Sequence, residues 1–445
     1  MSHPYLPLTD RERQVMLARI GVTSFDDLIT DIPDELRLCR SLNLQTALSE
    51  VELRRKFEAF LSLNQHISLS FLGAGAYQHF IPTLVDHLAN RSEFYTAYTP
   101  YQPEISQGFL QAIFEYQTLT AGLFGLPVTN ASLYDGPTAL AESVLMVAKE
   151  TKLKRFLIPS TLNPILKQIL LTYTKPLGIE LVSLPHQNGL IDLQALKKSL
   201  ADPTAALVIQ NPNFFGIVED YRELINIAKA NGTLVICYVH PLLLGILEAP
   251  GKLGADIVVA EGQPLGNPIS YGGPNLGMIA ASERFLRKMP GRLVGETIDH
   301  QGKRCFVLTL QTREQHIRRE KATSNICSNQ ALCALRTSIY LSTLGPDGFK
   351  DTASRAYNNA HYLYTQLVNL GLQPLYEAPF FIEFPIKLPQ SVSFYLPKLL
   401  QKGIVPGPDL GELYSDLNDT LLICATEIFT KAELDNFVTE LGGLL

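Results

Sequence analysis

Between residues 70 and 330, short apolar runs alternate with longer stretches in which apolar residues recur at helical spacing. The apolar runs are RFLIP, ELVSLP, ALVIQ, TLVICYV, DIVVA and LGMIAA. The helical stretches include PTALAESVLMVAKET, LQALKKSL and EDYRELINIAKANG, and the last one ends at Gly232, where we expect a left-handed C-cap. Short apolar runs of this kind are typical of parallel strands that are buried on both faces. The alternation therefore predicts an α/β fold, with a mainly parallel sheet and helices on both sides.

The segments that flank this region predict two smaller parts of different character. Towards the N-terminus, RQVMLARIG and VELRRKFEAFLSL show helical spacing in a charged context, which indicates a helical arm. Towards the C-terminus, helix-like SRAYNNAHYLYTQLVNLG and SVSFYLPKLLQKG alternate with the strand candidates PFFIEFPI and TLLICAT. We therefore expect an N-terminal arm over residues 1–68, a large α/β domain over 69–335 and a small α+β domain over 336–445.

Composition excludes several classes of protein. The 445 residues carry a net charge of −6 and contain no basic block long enough to follow a phosphate backbone, so nucleic acid is not an expected partner. No run of about 18 apolar residues and no signal-peptide pattern is present, so we expect neither a membrane span nor secretion, and a cytoplasmic location. The cysteines form no CxxC pair, which favours reduced core thiols over disulfides and predicts no metal site. They are Cys39, Cys237, Cys305, Cys327, Cys333 and Cys424.

The segment LYDGPTALAES predicts a turn from a strand into a helix, a place where a helix N-terminus can hold an anion. Two residues weaken that prediction. Pro137 removes one amide donor, and Asp135 places a negative charge beside the position that a phosphate would take. A plain helix start, with proline near its first position, is the favoured interpretation.

The stretch HPLLLGILEAPGKLGADIVVAEGQPLGNPISYGGPNLGMIA contains two strands, a loop and a Gly-Gly-Pro turn. This order resembles the centre of the fold-type I pyridoxal phosphate enzymes, the aspartate aminotransferase superfamily. Those enzymes place an aspartate at the end of the first strand and a Schiff-base lysine in the loop after the second. Here the aspartate position falls at Val239 or His240, and the loop from Ala260 to Gly273 contains no lysine. The chain therefore has neither of the two groups.

Two further segments have unusual polar density. NRSEFYTAYTPYQPEISQG brings Tyr95, Tyr98 and Tyr101 together in proline-rich sequence, which predicts irregular backbone and suits either a binding surface or a buried subunit contact. TREQHIRREKATSNICS places basic residues before Thr323, Ser324 and Asn325. The basic run indicates a solvated helix face or, with the hydroxyl and amide groups that follow, an anion site.

Taken together, these motifs resemble the glycine cleavage system P-proteins, and within them the first subunit of the two-subunit bacterial type. The matching segments are MLARIGVTSFDDLITDIP, FLGAGAYQHFIP, YTAYTPYQPEISQG, LYDGPTALAES, IQNPNFFGIVED, ISYGGPNLGMIA and TREQHIRREKATSNIC, so the resemblance covers essentially the whole chain. It implies a glycine dehydrogenase (decarboxylating) that removes the carboxyl group of glycine and passes the aminomethyl group to the lipoyl arm of H-protein. It also implies that subunit 2 binds pyridoxal phosphate covalently through its own lysine, where this chain has Gln263 and Pro264.

The resemblance further implies a shared active site in a heterotetramer with two copies of each subunit. We expect Tyr95, Tyr98 and Tyr101 to face glycine, and Thr323, Ser324 and Asn325 to face the phosphate of the partner's cofactor. Two other interpretations remain open. The chain could be a purely structural partner of subunit 2, or a stand-alone pyridoxal phosphate enzyme that uses another lysine such as Lys321.

Overall fold

The structure is a computed structural model that describes Tyr5, residues 8–38 and residues 40–445. These residues divide into two compact units, of which the first ends at Gln65 and the second begins at His66. The first unit contains the helices α1 (Asp10–Ile20) and α2 (Glu50–Leu61), with short 3-10 helices at Asp26–Leu28 and Asp34–Leu36 between them. Both α-helices begin at a capping box, and neither buries a residue. Helices were predicted here from the spacing of the apolar residues.

The second unit contains eleven α-helices and sixteen strands among the described residues. The helices are α3 (Thr83–Ala89), α4 (Ser92–Tyr95), α5 (Gln107–Phe124), α6 (Gly136–Thr151), α7 (Pro164–Thr174), α8 (Leu193–Ser199), α9 (Tyr221–Ala230), α10 (Gln315–Arg318), α11 (Ala331–Asn369), α12 (Val392–Gln401) and α13 (Lys431–Gly442). The strands are β1 (Leu69–Ser70), β2 (Val128–Thr129), β3 (Arg155–Pro159), β4 (Glu180–Leu184), β5 (His186–Gln187), β6 (Leu190–Ile191), β7 (Ala206–Asn211), β8 (Leu234–Val239), β9 (Ile257–Glu261), β10 (Gly277–Ala281), β11 (Leu293–Ile298), β12 (Arg304–Thr309), β13 (Gln373–Pro374), β14 (Glu383–Lys387), β15 (Ile404–Val405) and β16 (Thr420–Cys424).

A seven-stranded sheet forms the centre of this unit, in the order β2-β10-β9-β8-β7-β3-β4. The strands β9, β8, β7, β3 and β4 run parallel to one another, whereas β10 is antiparallel to both β9 and β2. Each of the six apolar runs forms one strand of this sheet. The predicted α/β fold with a mainly parallel sheet is therefore confirmed.

Alternate residues of the central strands enter two different hydrophobic cores. On β8, Val235 and Cys237 pack into a core with α5 and α9, while Leu234 and Ile236 pack into a core with α6 and α7. The strands are apolar throughout because helices cover both of their faces. Helix α9 ends as predicted, with Gly232 in the left-handed conformation at φ +71°.

The C-terminal residues build a third core of their own. The three-stranded sheet β13-β14-β16 packs with α12, α13 and the second half of α11, and Phe214 and Phe215 from the turn after β7 join this core. The predicted boundary between residues 335 and 336 falls inside α11, a helix that continues to Asn369 with a break at Gly345. The division into a large and a small domain therefore stays a prediction.

Two features of the fold were not predicted from the sequence. The strands β11 and β12 form an antiparallel hairpin after the seven-stranded sheet, and α11 begins at Ala331, directly after the TSNICS segment. No described helix is both long and apolar enough to cross a membrane.

The described cysteines are free thiols, and Cys39 lies outside the described residues. Cys237, Cys333 and Cys424 are buried, as predicted. Cys305 is half-buried and Cys327 is exposed, so the expected core position is wrong for Cys327, which ends the irregular TSNIC segment rather than lying in a strand.

Candidate functional site

The carboxyl ends of three neighbouring parallel strands meet at one edge of the central sheet. Asn211 ends β7 and pairs with Val239 at the end of β8, which in turn pairs with Ala260 of β9. Two adjoining cavities lie at this edge, with volumes of about 410 and about 30 Å³. We call them together the strand-end pocket, and both are lined by Gly75, Asn163, Leu166, Tyr238 and Glu261. The edge at the carboxyl ends of parallel strands is where α/β folds place their ligands.

Pro264 stands where the resemblance places the Schiff-base lysine, and the side chain of the preceding residue, Gln263, makes all of its hydrogen bonds within the chain. Gln263 is buried; its Oε1 accepts the Tyr77 N–H at 3.0 Å, and its Nε2 donates to the Tyr77 carbonyl at 2.9 Å and the Asn267 carbonyl at 3.0 Å. Pro264 lines the smaller cavity. No lysine is among the described residues that line the strand-end pocket.

No carboxylate stands at the end of β8. Val239 is buried in the core, and the next residue, His240, is buried with both ring nitrogens lacking a hydrogen-bond partner among the described residues. The His240 ring lies 4.6 Å from that of Tyr77 and 5.6 Å from that of His79, measured between centroids. Burial, with the nearby His79, holds the pKa of His240 well below its ordinary value, so this side chain is neutral at pH 7.

Carboxylates of the chain itself occupy the N-terminus of α6, where a cofactor phosphate would bind. The Gly136 N–H donates to Glu261 Oε2 at 2.8 Å, and the Thr138 N–H donates to Asp135 Oδ1 at 2.7 Å. Pro137 has no N–H to offer. The favoured sequence interpretation, an ordinary helix start capped by Asp135, agrees with the structure.

Glu261 is held at this helix by three separate segments. Besides Gly136, the N–H groups of Gln263 and Leu276 each donate to Glu261 Oε1 at 2.9 Å. Gly136 is required because a Cβ there would lie 2.7 Å from Tyr238 Oη and 2.8 Å from the Glu261 nitrogen. Burial raises the pKa of the Glu261 carboxyl to about 7 against the opposing effect of the backbone hydrogen bonds.

The strand-end pocket therefore does not fit pyridoxal phosphate. It provides no covalent anchor, no carboxylate for a pyridine nitrogen and no free amide donor at the helix N-terminus among the residues described above. Behind it lie two buried acid pairs: Tyr77 Oη donates to Glu383 at 2.7 Å, and His79 Nδ1 lies 2.8 Å from Glu427. Both carboxylates are hydrogen-bonded within the chain, whereas His79 Nε2 has no partner among the described residues.

The three candidate tyrosines lie elsewhere, at the end of α4 and on the irregular backbone that follows it. Tyr95 ends the one-turn helix α4, so the prediction of fully irregular backbone is wrong at that position, where Ser92 to Tyr95 form a helical turn. Tyr98 is 87% exposed. Tyr95 and Tyr98 line a cavity of about 210 Å³ together with residues 328–332, which lead into α11. We call residues 95–101 the tyrosine loop.

Arg292 connects the tyrosine loop to the segment that follows the basic run. Its guanidinium donates to Tyr101 Oη at 3.1 Å and to the Cys327 carbonyl, and lies 5.4 Å from the centre of the Tyr101 ring. The side chain is buried, and its Nε has no partner among the described residues. Arg292 also lines a small cavity with Thr323 and Ser324. The structure thus brings the two sets of candidates to one neighbourhood.

The three candidates of the second set differ in exposure. Thr323 and Ser324 are half-buried, and Ser324 Oγ accepts the Ile326 N–H at 3.1 Å, whereas Asn325 is exposed. None of the six candidates, in either set, lines the strand-end pocket of this chain. Their roles stay predictions.

The predicted basic helix is not continuous. Helix α10 covers only Gln315 to Arg318, because Arg319 adopts a left-handed backbone with φ +53°. Arg313 is buried and donates to the carbonyls of Leu310, Met289 and Gly291, which leaves it unable to serve an anion.

Glu142, a residue that sequence reasoning did not select, lies in α6 beneath the Ser324 segment. Its side chain is 2% exposed, it faces Ser324, and its Oε2 has no hydrogen-bond partner among the described residues. Burial raises the pKa of the Glu142 carboxyl to about 7, because the charged form is poorly solvated. The chain thus keeps a titrating carboxyl beside one of its candidate segments.

The Glu142→Gln variant tests this environment through the pH dependence of stability. A raised folded-state pKa means that Glu142 favours folding below pH 4.5 and loses that contribution as the pH rises through about 7. The free energy of unfolding of the wild type therefore decreases between pH 5 and pH 8. We expect this decrease to be about 2–3 kcal/mol smaller in the variant than in the wild type. Urea unfolding at several pH values measures this decrease, and the exposed Glu283→Gln should retain the wild-type profile. Equal profiles for Glu142→Gln and wild type would contradict the assignment.

The comparison with protein families gives a match over nearly the whole chain. The sequence profile of the family described as glycine cleavage system P-protein matches residues 3–441. Among curated relatives, "Probable glycine dehydrogenase (decarboxylating) subunit 1" of Anoxybacillus flavithermus is 48% identical over 444 residues, with 99% of both chains covered. The protein of the same name from Bacillus subtilis is 47% identical over 444 residues, again with 99% of each chain covered.

Solved structures with similar folds agree with these matches. A crystal structure of glycine decarboxylase (P-protein) of the glycine cleavage system, in inhibitor-bound form, superposes with a TM-score of 0.87 at 39% identity and covers 100% of both chains. An alanine–glyoxylate aminotransferase from Nostoc sp. has a TM-score of 0.61 at 18% identity, covering 91% of this chain and 100% of its own. The second likeness shows the fold alone.

Proposed function

The chain belongs to the glycine cleavage system P-protein family, and from this premise we propose that it is the half of a two-subunit glycine dehydrogenase (decarboxylating) that carries no cofactor of its own. The resemblance drawn from the sequence motifs and the fold-type I architecture are both confirmed. In the proposed complex, subunit 2 binds pyridoxal phosphate through its own lysine. The complex decarboxylates glycine and transfers the aminomethyl group to the lipoyl arm of H-protein.

The observation that carries this proposal is the state of the strand-end pocket. Pro264 stands at the lysine position beside Gln263, whose amide is fully hydrogen-bonded, and Glu261 accepts the Gly136 N–H at the start of α6. A chain that conserved an independent pyridoxal phosphate site would need both positions for the cofactor. This observation supports a division of roles in which the partner holds the cofactor and this chain contributes side chains from its surface to the shared active site.

We place those contributions in the tyrosine loop and in the Ser324 segment. Tyr98 exposes its hydroxyl, so a partner subunit could bring substrate to it without any rearrangement of this chain. Glycine must lose its carboxylate as neutral CO₂, and a strong cationic clamp would stabilise the ground state more than the transition state. Neutral hydroxyl donors such as Tyr95, Tyr98 and Tyr101 suit that requirement. Pyridoxal phosphate, when bound to the partner, supplies the electron sink for the reaction.

On the phosphate side, Thr323, Ser324 and Asn325 offer two hydroxyl donors and an amide to the partner's cofactor. Arg292 acts as a positioning residue, because its hydrogen bonds to Tyr101 Oη and to the Cys327 carbonyl fix the tyrosine loop relative to this segment. Loss of the buried Arg292 guanidinium would remove both hydrogen bonds, and the tyrosine loop and the Ser324 segment would then no longer be held in position. The proposed assembly is a cytoplasmic heterotetramer of two copies of each subunit.

Reconstitution with subunit 2 tests the proposed function. Release of labelled CO₂ from carboxyl-labelled glycine, with and without lipoylated H-protein, is measured for each subunit alone and for the mixture. Turnover is expected only for the mixture and only with H-protein. Borohydride reduction followed by peptide mapping is expected to find pyridoxyl-lysine on subunit 2. Turnover by this chain alone, or pyridoxyl fixed on one of its lysines such as Lys321, would overturn the proposal and favour a stand-alone enzyme.

A further inference from the structure

The contacts of Glu261 are those of a bound anion rather than those of an ordinary buried acid. Its two carboxylate oxygens accept three backbone N–H groups, from Gly136 at the start of α6, from Leu276 before β10, and from Gln263 two residues further along its own chain. A helix N-terminus combines free amides with the positive end of the helix dipole, and α6 is 16 residues long. The carboxylate lies where a ligand oxyanion would otherwise bind.

A second observation shows that the space around this carboxylate is built as a binding site. His240 is 8% exposed, lines the smaller cavity of the strand-end pocket with Glu261, and has two ring nitrogens without partners among the described residues. Buried polar atoms are normally satisfied, so an unpartnered imidazole in a cavity of about 30 Å³ marks a place for a polar guest. The larger cavity, of about 410 Å³, is also lined by Glu261.

We infer that the Glu261 carboxylate fills an oxyanion-binding site at the N-terminus of α6. In that position it prevents phosphate-bearing ligands from binding to this chain. The lining of the strand-end pocket includes no lysine or arginine among the described residues, so nothing there compensates a second negative charge next to Glu261. A phosphate could enter only by displacing the carboxylate from all three amides. The inference goes beyond the proposed function and does not depend on it, because it concerns this chain in isolation.

The test removes the Glu261 carboxylate by mutation and adds a small anion that can bind in its place. In Glu261→Ala the three amides lose their acceptor, and we expect the thermal unfolding midpoint of the full-length chain to fall by about 5–10 °C. Sodium formate at about 0.2 M, compared with sodium chloride of equal ionic strength, supplies a carboxylate of the right size. Formate and inorganic phosphate should each recover about half of that loss or more, and neither should shift the wild-type midpoint.

The matched control is Glu219→Ala. Glu219 is also buried, and burial raises its pKa to about 7 as well, but its oxygens accept the single backbone N–H of Ile191 and the Asn213 amide rather than a helix N-terminus. Its variant should lose stability without any recovery in formate or phosphate. If Glu261→Ala responds to the two anions no more than Glu219→Ala does, the inference is wrong. Recovery in formate with none in phosphate would likewise overturn the assignment of phosphate exclusion to Glu261.

A second variant and a second readout cover the case in which Glu261→Ala does not fold well. Glu261→Gln keeps the volume of the side chain, so it should unfold at a lower temperature than wild type and show no response to formate, because no space is vacated. If formate raised the unfolding midpoint of Glu261→Gln, the inference that Glu261 fills an anion site would be contradicted. For Glu261→Ala itself, the yield of refolding from urea should be several-fold higher in formate than in chloride, and equal yields would overturn the inference.

Discussion

The Tyr98→Phe variant, assembled with subunit 2, is expected to turn over glycine roughly 10²- to 10⁴-fold more slowly than the wild-type complex. The variant removes only a hydroxyl, and that hydroxyl makes no hydrogen bond within the described part of the chain. Since Tyr98 is 87% exposed, packing inside this chain cannot account for such a loss. The rate of CO₂ release under saturating glycine and H-protein measures the effect, and size-exclusion chromatography confirms that assembly is unchanged.

Tyr357→Phe provides the matched control for this measurement. Tyr357 is a partly exposed tyrosine on α11, stacked on His361 at 3.9 Å between ring centroids and outside the tyrosine loop. Its variant should retain the wild-type turnover. If Tyr98→Phe also retains full turnover with an unchanged KM, the tyrosine loop has a structural role, and the interpretation of this chain as a purely structural partner of subunit 2 gains support.

The Gly216→Ala variant is expected to lose more than about 4 kcal/mol of unfolding free energy, a large fraction of the roughly 5–15 kcal/mol that is typical of folded proteins. Gly216 has φ +78° in the NFFG turn after β7, and a Cβ there would overlap the main-chain carbonyl of Glu383 in β14. The obstacle is backbone in a paired strand, so it cannot move aside as a side chain could. Soluble yield and urea unfolding followed by circular dichroism measure the loss.

Gly232→Ala separates the effect of space from the effect of backbone conformation. Gly232 has a similar φ of +71°, but no atom lies within 4 Å of the position of its Cβ. The strain of a left-handed alanine alone should cost about 1–2 kcal/mol. Equal losses for the two variants would show that the contact with Glu383 is unimportant.

The central sheet could be predicted because the apolar pattern that indicates it is contained within each strand. Runs such as ALVIQ and TLVICYV are apolar at every position, and burial on both faces by helices is the simple reason for that pattern. The hairpin of β11 and β12 escaped prediction because LVGETI and RCFVLT mix polar and apolar residues. Two glutamines, Gln107 and Gln117, hold it by hydrogen bonds to the backbone of Phe306 and Val294, and such bonds leave no periodic pattern.

The candidate site could be predicted in part. The absence of a lysine from Ala260 to Gly273 was visible in the sequence. The structure adds that Glu261 accepts the Gly136 N–H at the start of α6, a contact that depends on how β9 meets α6. Arg292 gave no signal of its own, because it lies 191 residues from its partner Tyr101 in an ordinary stretch of sequence. Long-range hydrogen bonds of single residues are the part of a site that composition and spacing do not reveal.

The hydrogen bonds of Glu261 also bear on how the cell maintains this subunit. Many cofactor-dependent proteins are stabilised by mass action when their ligand is abundant and are degraded faster when it is scarce. Here Gly136, Gln263 and Leu276 receive their acceptor from the chain itself, so these amides need no small molecule to be satisfied. We therefore expect the cellular lifetime of this subunit to be independent of the supply of pyridoxal phosphate and, under the division of roles proposed above, the lifetime of its partner to depend on that supply.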